Sequence, residues 1–236
     1  MQRFLLGTAA ALAVTGSAMA ADMPVKAPPV TRAPPVQVYN WTGCYVNGGG
    51  GYGMFNQDVV VDDAKTTQGG RGWFGTVGGG CDLQIASNWV IGAFGDYDFS
   101  SLKGDFFLGG RDKQTSAWAV GGRLGYTLTP NILAYANAGY TQARFAGINF
   151  DDVFSVGSHT YSGWFLGGGY EYRLDWFPGL FWRTEYRYAQ YGKDNLAILE
   201  GGVPIGESIT SEKFVQTIRS ELVWRFNWGG PVRAAF

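Results

Sequence analysis

The chain has 236 residues, a formal net charge of −1, 37 glycines, and 16% each of charged and aromatic residues. Glycine stands at about twice its usual ~7% share, yet without the three-residue period of collagen, and the aromatic content argues against a disordered chain. The near-neutral balance shows nothing of a nucleic-acid binder, which carries a basic patch or stripe.

The amino terminus reads as an export signal over residues 1–20. Arg3 supplies the positive start, residues 4–14 are apolar and uncharged, and Ala18-Met19-Ala20 fits the small-x-small cleavage pattern. Cleavage there leaves Ala21-Asp22 as the mature start and a formal charge of about −2, because Arg3 departs with the leader. The apolar core is too short for a spanning helix. An exported chain of this kind either stays soluble in the periplasm or inserts as a barrel.

Residues 21–39 read ADMPVKAPPVTRAPPVQVY, with five prolines and the near-repeat KAPPV, RAPPV. Such a stretch favours polyproline II and is not expected to join a sheet. Extended, it reaches roughly 50–60 Å at about 3.1 Å per residue. It reads either as a plain periplasmic leader or as a tether from the membrane towards the cell wall. Residues 40–236 form the remaining segment.

Eight aromatic-rich, glycine-studded runs follow, at residues 41–55, 73–85, 89–102, 116–128, 132–145, 161–174, 180–191 and 213–228. Connections after the second, fourth and sixth are tight, at residues 86–88, 129–131 and 175–179. Those after the first, third, fifth and seventh are longer and polar. A hairpin sheet in one solvent gains nothing from this sorting. A transmembrane barrel does, with short turns in the periplasm and long loops outside.

Alternation within the runs separates two faces. In the third run Trp89, Ile91, Ala93, Tyr97 and Phe99 oppose Asp96 and Asp98. In the fourth Trp118, Val120, Leu124, Tyr126 and Leu128 oppose Ala117, Ala119, Gly121 and Arg123. The sixth sets Trp164, Leu166, Tyr170 and Tyr172 against Glu171 and Arg173. The seventh sets Leu180, Trp182, Tyr186 and Tyr188 against Arg183, Glu185 and Arg187, and the eighth Ile218, Leu222, Trp224 and Phe226 against Arg219, Glu221 and Arg225. The fifth run is ambiguous, since Tyr135 and Asn137 share a parity. An eight-strand barrel has an interior that side chains fill. Asp96, Asp98, Arg123, Glu171, Arg173, Arg183, Glu185, Arg187, Arg219, Glu221 and Arg225 are therefore expected to form an ion network in the lumen. A catalytic or ion-conducting role is the rival reading of the same residues.

Catalytic signals are sparse. The stretch Gly48 to Gly53 formally matches G-x-G-x-x-G, but no helix pattern follows it, as a dinucleotide site requires. Glycine there more simply relieves crowding and leaves room for neighbouring rings. The lone histidine, His159, stands beside Ser158, with Asp151 and Asp152 nearby, and neighbours in a loop are no preorganised triad. Asp62-Asp63 and Asp151-Asp152 read as solvated loop charges. No catalytic residue, cofactor or metal site is assigned, and the chain is not read as an enzyme.

Cys44 lies near the start of the first run and Cys81 near the end of the second. If the two runs pair with Trp41 roughly opposite Ile85, the cysteines fall within a residue of each other. The periplasm is oxidising and permits a bridge, whereas a one-residue slip forbids it. A Cys44–Cys81 disulfide and two free lipid-facing thiols both remain open at this point.

Several stretches together resemble the alphaproteobacterial outer-membrane β-barrel proteins, the OmpA-like or opacity-like small barrels often labelled porin family. They are the leader ending in Ala-Ala-Asp, PVKAPP, YNWTGCYVNGGGGYG, GGGCDLQ, WVIGAFGDYDFSSLKG, EYRYAQYG and LVWRFNW. The resemblance implies an eight-stranded antiparallel transmembrane β-barrel in the outer membrane. The partners it implies are outer-membrane lipid, lipopolysaccharide and the barrel-assembly machinery, and the roles are structural, surface-antigen or envelope-maintenance ones. In similar proteins a mature Ala-Asp start can be joined to peptidoglycan by a transpeptidase, and Ala21-Asp22 matches that pattern. The chain departs from the family in two places. Cysteines replace the usual aromatic residues at 44 and 81, which favours the bridge, and Gly229-Gly230-Pro231 interrupts the usual strand-terminal aromatic before Phe236. Rival functions are a narrow diffusion channel and a lipid-A-modifying enzyme, and a rival fold is a soluble periplasmic barrel.

Overall fold

A computed structural model describes residues 37–61, 64–105, 111–149, 154–200, 203–227 and 232–233. Eight long strands form the wall: β1 (Gly43–Val61), β2 (Ala64–Gln84), β3 (Trp89–Asp105), β4 (Arg111–Thr129), β5 (Ile132–Phe145), β6 (His159–Arg173), β7 (Leu180–Glu200) and β8 (Val203–Asn227). Each is antiparallel to its sequence neighbours, and β8 pairs with both β7 and β1, so the sheet closes on itself. Closure leaves no wall edge unpaired, the condition for strands to cross hydrocarbon. Two short strands, Ile148–Asn149 and Phe154–Val156, pair with each other, and the second extends the sheet from the far end of β7. Gln37–Val38 pairs with Val232–Arg233, joining the two ends of the described chain. That pairing corrects the expectation that residues 21–39 stay out of any sheet. Gln37 and Val38 follow the last proline and keep both backbone donors.

The alternating faces follow from the pleat. Val120, Leu124, Tyr126 and Leu128 are exposed on β4, while Ala117, Ala119 and Arg123 are buried. The ambiguous fifth run resolves with Leu133, Tyr135, Asn137, Thr141, Ala143 and Phe145 inward. Outward aromatics form two girdles. One contains Tyr52, Trp73, Phe99, Trp118, Tyr140, Trp164, Tyr188 and Phe214, with cross-strand ring contacts such as Tyr52–Trp73 at 5.0 Å and Trp118–Tyr140 at 5.6 Å. The other, beside the tight turns, contains Trp89, Tyr126, Phe177 and Trp224, with Trp89–Tyr126 at 5.1 Å and Phe177–Trp224 at 5.3 Å. A girdle-to-girdle stretch of about ten residues, at ~3.4 Å rise and ~40° tilt, is about 25 Å tall, the height of the apolar band on outer-membrane barrels.

Strands outrun the sequence runs at the end opposite the tight turns. Residues 56–61 pair with 64–69, and β7 and β8 stay paired as far as Glu200 and Val203. Beyond the girdle neither face meets hydrocarbon. Hydrogen bonding continues there, but the apolar alternation that marks a strand in sequence does not. The β6–β7 turn uses Gly179 at φ 84°, a left-handed conformation suited to glycine.

Candidate functional site

Among the described residues ionisable side chains converge in the lumen, which is built in layers. At the turn end Trp41, Val90, Leu133, Phe181 and Val223 form an apolar layer around Tyr45. Above it lies a first ion cluster. Arg225 reaches Glu171 at 2.6 Å and Asp82 at 2.7 Å. Arg123 donates from Nε to Asp82 at 2.7 Å, makes a second short contact with the same carboxylate, and meets Glu171 at 3.1 Å. Arg183 bridges Glu171 at 3.4 Å and Glu221 at 3.2 Å. The guanidiniums of Arg123 and Arg183 each lie 4.7 Å from the Tyr45 ring centre, and Arg225 lies 4.9 Å from Trp41. The planar cations are thus neutralised at their edges and packed on their faces.

A second ion cluster follows. Arg187 grips Asp96 with two hydrogen bonds of 3.0 and 2.8 Å and donates to Glu185 at 2.9 Å. Arg219 meets Asp98 at 3.1 Å and Asp96 at 3.4 Å. Tyr135 and Asn137 donate to Glu185 at 2.9 and 2.8 Å. Further out, Phe55, Phe74, Leu102, Phe145, Tyr161, Phe165, Tyr191 and Val215 make a second apolar layer. Beside it Lys213 pairs with Asp112, donates to Gln57 at 2.8 Å and sits 3.8 Å from the Phe145 ring centre.

Glycines make room for this filling. A Cβ on Gly92 would stand 2.0 Å from Asp82 Oδ1, and one on Gly51 would stand 2.5 Å from the Phe74 ring. Two voids between these layers are small, about 10 Å³ beside Asn137 and Arg183 and about 20 Å³ beside Asp98 and Arg219. Each is about the size of one water.

Of the eleven charged residues expected inside, the structure brings together ten. Arg173 is the correction. It has the inward parity but ends β6, so its half-exposed side chain emerges past the apolar layer. There it meets exposed Asp175 at 3.7 Å and the Tyr39 ring at 5.9 Å. Asp82, Asp112 and Lys213 are members that sequence reasoning missed. Asp82 shares the inward parity of Gly78 and Gly80, which looks empty in sequence.

Cys44 and Cys81 are direct cross-strand partners on the outward face and are joined by a disulfide. Ala21, Asp22 and the acids at 62, 63, 151 and 152 lie outside the described residues. Ser158 is exposed, and the His159 ring packs 5.2 Å from Tyr161. Among the described residues no group of three or more histidine, cysteine or acidic side chains is placed to hold a metal.

Residues 8–231 match the family model described as outer membrane protein beta-barrel domain. The chain is 31% identical to the 31 kDa outer-membrane immunogenic protein of Brucella melitensis, over 96% of this chain and all of the relative. The chain belongs to the outer-membrane β-barrel family. A second member, the 25 kDa outer-membrane immunogenic protein of Brucella abortus, is 28% identical over 96% of this chain and 99% of its own. Among solved structures, Neisserial surface protein A aligns over 78% of this chain and 98% of its own, at 11% identity and a TM-score of 0.43. As a member of this family the protein resides in the outer membrane. In outer-membrane barrels short turns face the periplasm and longer connections face outside.

Proposed function

We propose that this barrel is a non-conducting structural element of the outer membrane that displays its outer strand ends at the surface. The observation behind this reading is the packed lumen. A conduit needs a continuous column of water. Here paired charges and two apolar layers occupy the axis, and the two voids between them are each about the size of one water. Surface display is supported by the relatives named as outer-membrane immunogenic proteins. Planar-bilayer recording on the purified mature protein tests the reading, with no unit conductance expected. Regular single-channel steps that change size when Arg187 and Glu221 are replaced by alanine would favour the narrow-channel reading instead.

The same reading includes attachment to the cell wall. The Ala21 amine would form an amide with a peptidoglycan stem peptide, and the proline-rich segment, roughly 50–60 Å when extended, would span the gap. It is supported by the Ala-Asp start that cleavage after Ala20 would leave. Digested sacculi are expected to yield the Ala21 peptide carrying a muropeptide mass. Recovery of only the unmodified peptide at good coverage would refute attachment.

A further inference from the structure

The outward face of β2 to β5 carries an unbalanced row of cations. Arg71, Lys103 and Lys113 are direct cross-strand partners on three consecutive strands. Arg144 follows on β5, whose chain continues to Ala146, where the N–H donates to the Lys113 carbonyl at 2.8 Å. Arg71, Lys103 and Arg144 are exposed and Lys113 is half-buried. Like charges directly opposite on neighbouring strands, about 5 Å apart, destabilise a sheet. Among the described residues none of the four is held in an ion pair.

The row stands just beyond the outer girdle, with Arg71 two residues past Trp73, and Lys103 and Arg144 each four past Phe99 and Tyr140. That is the level of lipid headgroups rather than of open solvent. At one end of the row a groove of about 340 Å³ opens between Met54, Asn56, Gly69, Arg71 and Lys103, where Gly69 presents no side chain on the outward face.

We propose that this row and groove bind the phosphates of an anionic glycolipid in the outer leaflet. Arg71 and Lys103 would hold one phosphate at the groove, and Lys113 and Arg144 a second. Guanidinium and ammonium groups suit phosphate oxygens, and bound phosphates would offset the repulsion within the row.

The test uses the full mature protein refolded in detergent, with folding checked by heat-modifiable gel mobility. Binding of diphosphorylated lipid A and of its dephosphorylated form is measured by native mass spectrometry. The phosphorylated form is expected to bind at least about tenfold tighter, and Arg71→Gln/Lys103→Gln/Lys113→Gln/Arg144→Gln is expected to lose that preference. Lys193→Gln, on β7, removes an exposed cation that lies 3.8 Å from Glu212 and is expected to change nothing. Equal binding of both lipid forms, or wild-type affinity in the folded quadruple variant, overturns the proposal. Displacement of the lipid by millimolar inorganic phosphate would mark a soluble-anion site and also overturn it. Should the quadruple variant fail to fold, Arg71→Gln and Lys103→Gln are compared singly, and unchanged affinity in both counts against the proposal.

Discussion

Glu171 is wholly buried and contacts three guanidiniums, those of Arg225 at 2.6 Å, Arg123 at 3.1 Å and Arg183 at 3.4 Å. Glu171→Gln keeps the volume and removes the charge. With charge centres about 4 Å apart and an effective dielectric near 20, each contact is about 4 kcal/mol, roughly 12 kcal/mol gross for the three. The variant no longer has to dehydrate a carboxylate, which returns several kcal/mol, and broken buried pairs generally cost about 3–5 kcal/mol net. At a denaturant slope of about 2 kcal/mol per molar urea, the unfolding midpoint should fall by about 2 M. Tryptophan fluorescence in phospholipid vesicles, with gel mobility as a second probe, measures it. Adding Arg123→Met should recover about half of the loss, because Asp82 then keeps Arg225 and Glu221 keeps Arg183, one to one. A midpoint within about 0.3 M of wild type for Glu171→Gln, or a double variant weaker than the single, would refute the account of the lumen as a charge-balanced core.

Other outcomes follow from the same geometry. Arg173→Ala should shift stability by less than about 0.5 kcal/mol in the same assay, since its partner is exposed and 3.7 Å away. Gly51→Ala should cost about 1–3 kcal/mol, because the new Cβ would meet Ile218 O at 2.2 Å and the Phe74 ring at 2.5 Å. Gly48→Ala, with its nearest atom at 3.8 Å, should stay within about 0.5 kcal/mol of wild type, and urea midpoints compare the two. Cys44 and Cys81 should alkylate only after reduction, as read by mass spectrometry. Reduction should cost about 3–4 kcal/mol, given the sequence separation of 37 residues.

The membrane-crossing part of the wall was legible because two different surroundings imprint a period of two on each strand. Trp118 to Leu128 against Ala117 to Arg123 is readable without coordinates. The outer strand ends were not legible, because Asn56 to Asp58 and Thr67 to Gly70 lie beyond the outer girdle and carry no such imprint. In the lumen, parity located Glu171 and Arg183 but could not say where along the axis the packed layers stop, and so it placed Arg173 inside. Asp82 was missed for the opposite reason. Its side chain occupies space left by Gly92 on the next strand, and sequence shows a glycine without showing what fills its place. The fifth run was ambiguous because its outward positions are small, Ala134, Ala136 and Ala138, while inward Tyr135 spends its hydroxyl on Glu185.

The position of β1 has a mechanical consequence. A pull applied to the chain ahead of β1 along the strand axis would reach β1 at the end beside the tight turns. There β1 is flanked by β2 along one side and β8 along the other, with 18 paired positions on the β8 side. A pull in that direction shears both ladders at once instead of unzipping them bond by bond. The Cys44–Cys81 link lies at the second residue of the strand, so β2 shares the load through a covalent bond before the hydrogen bonds further along are stressed.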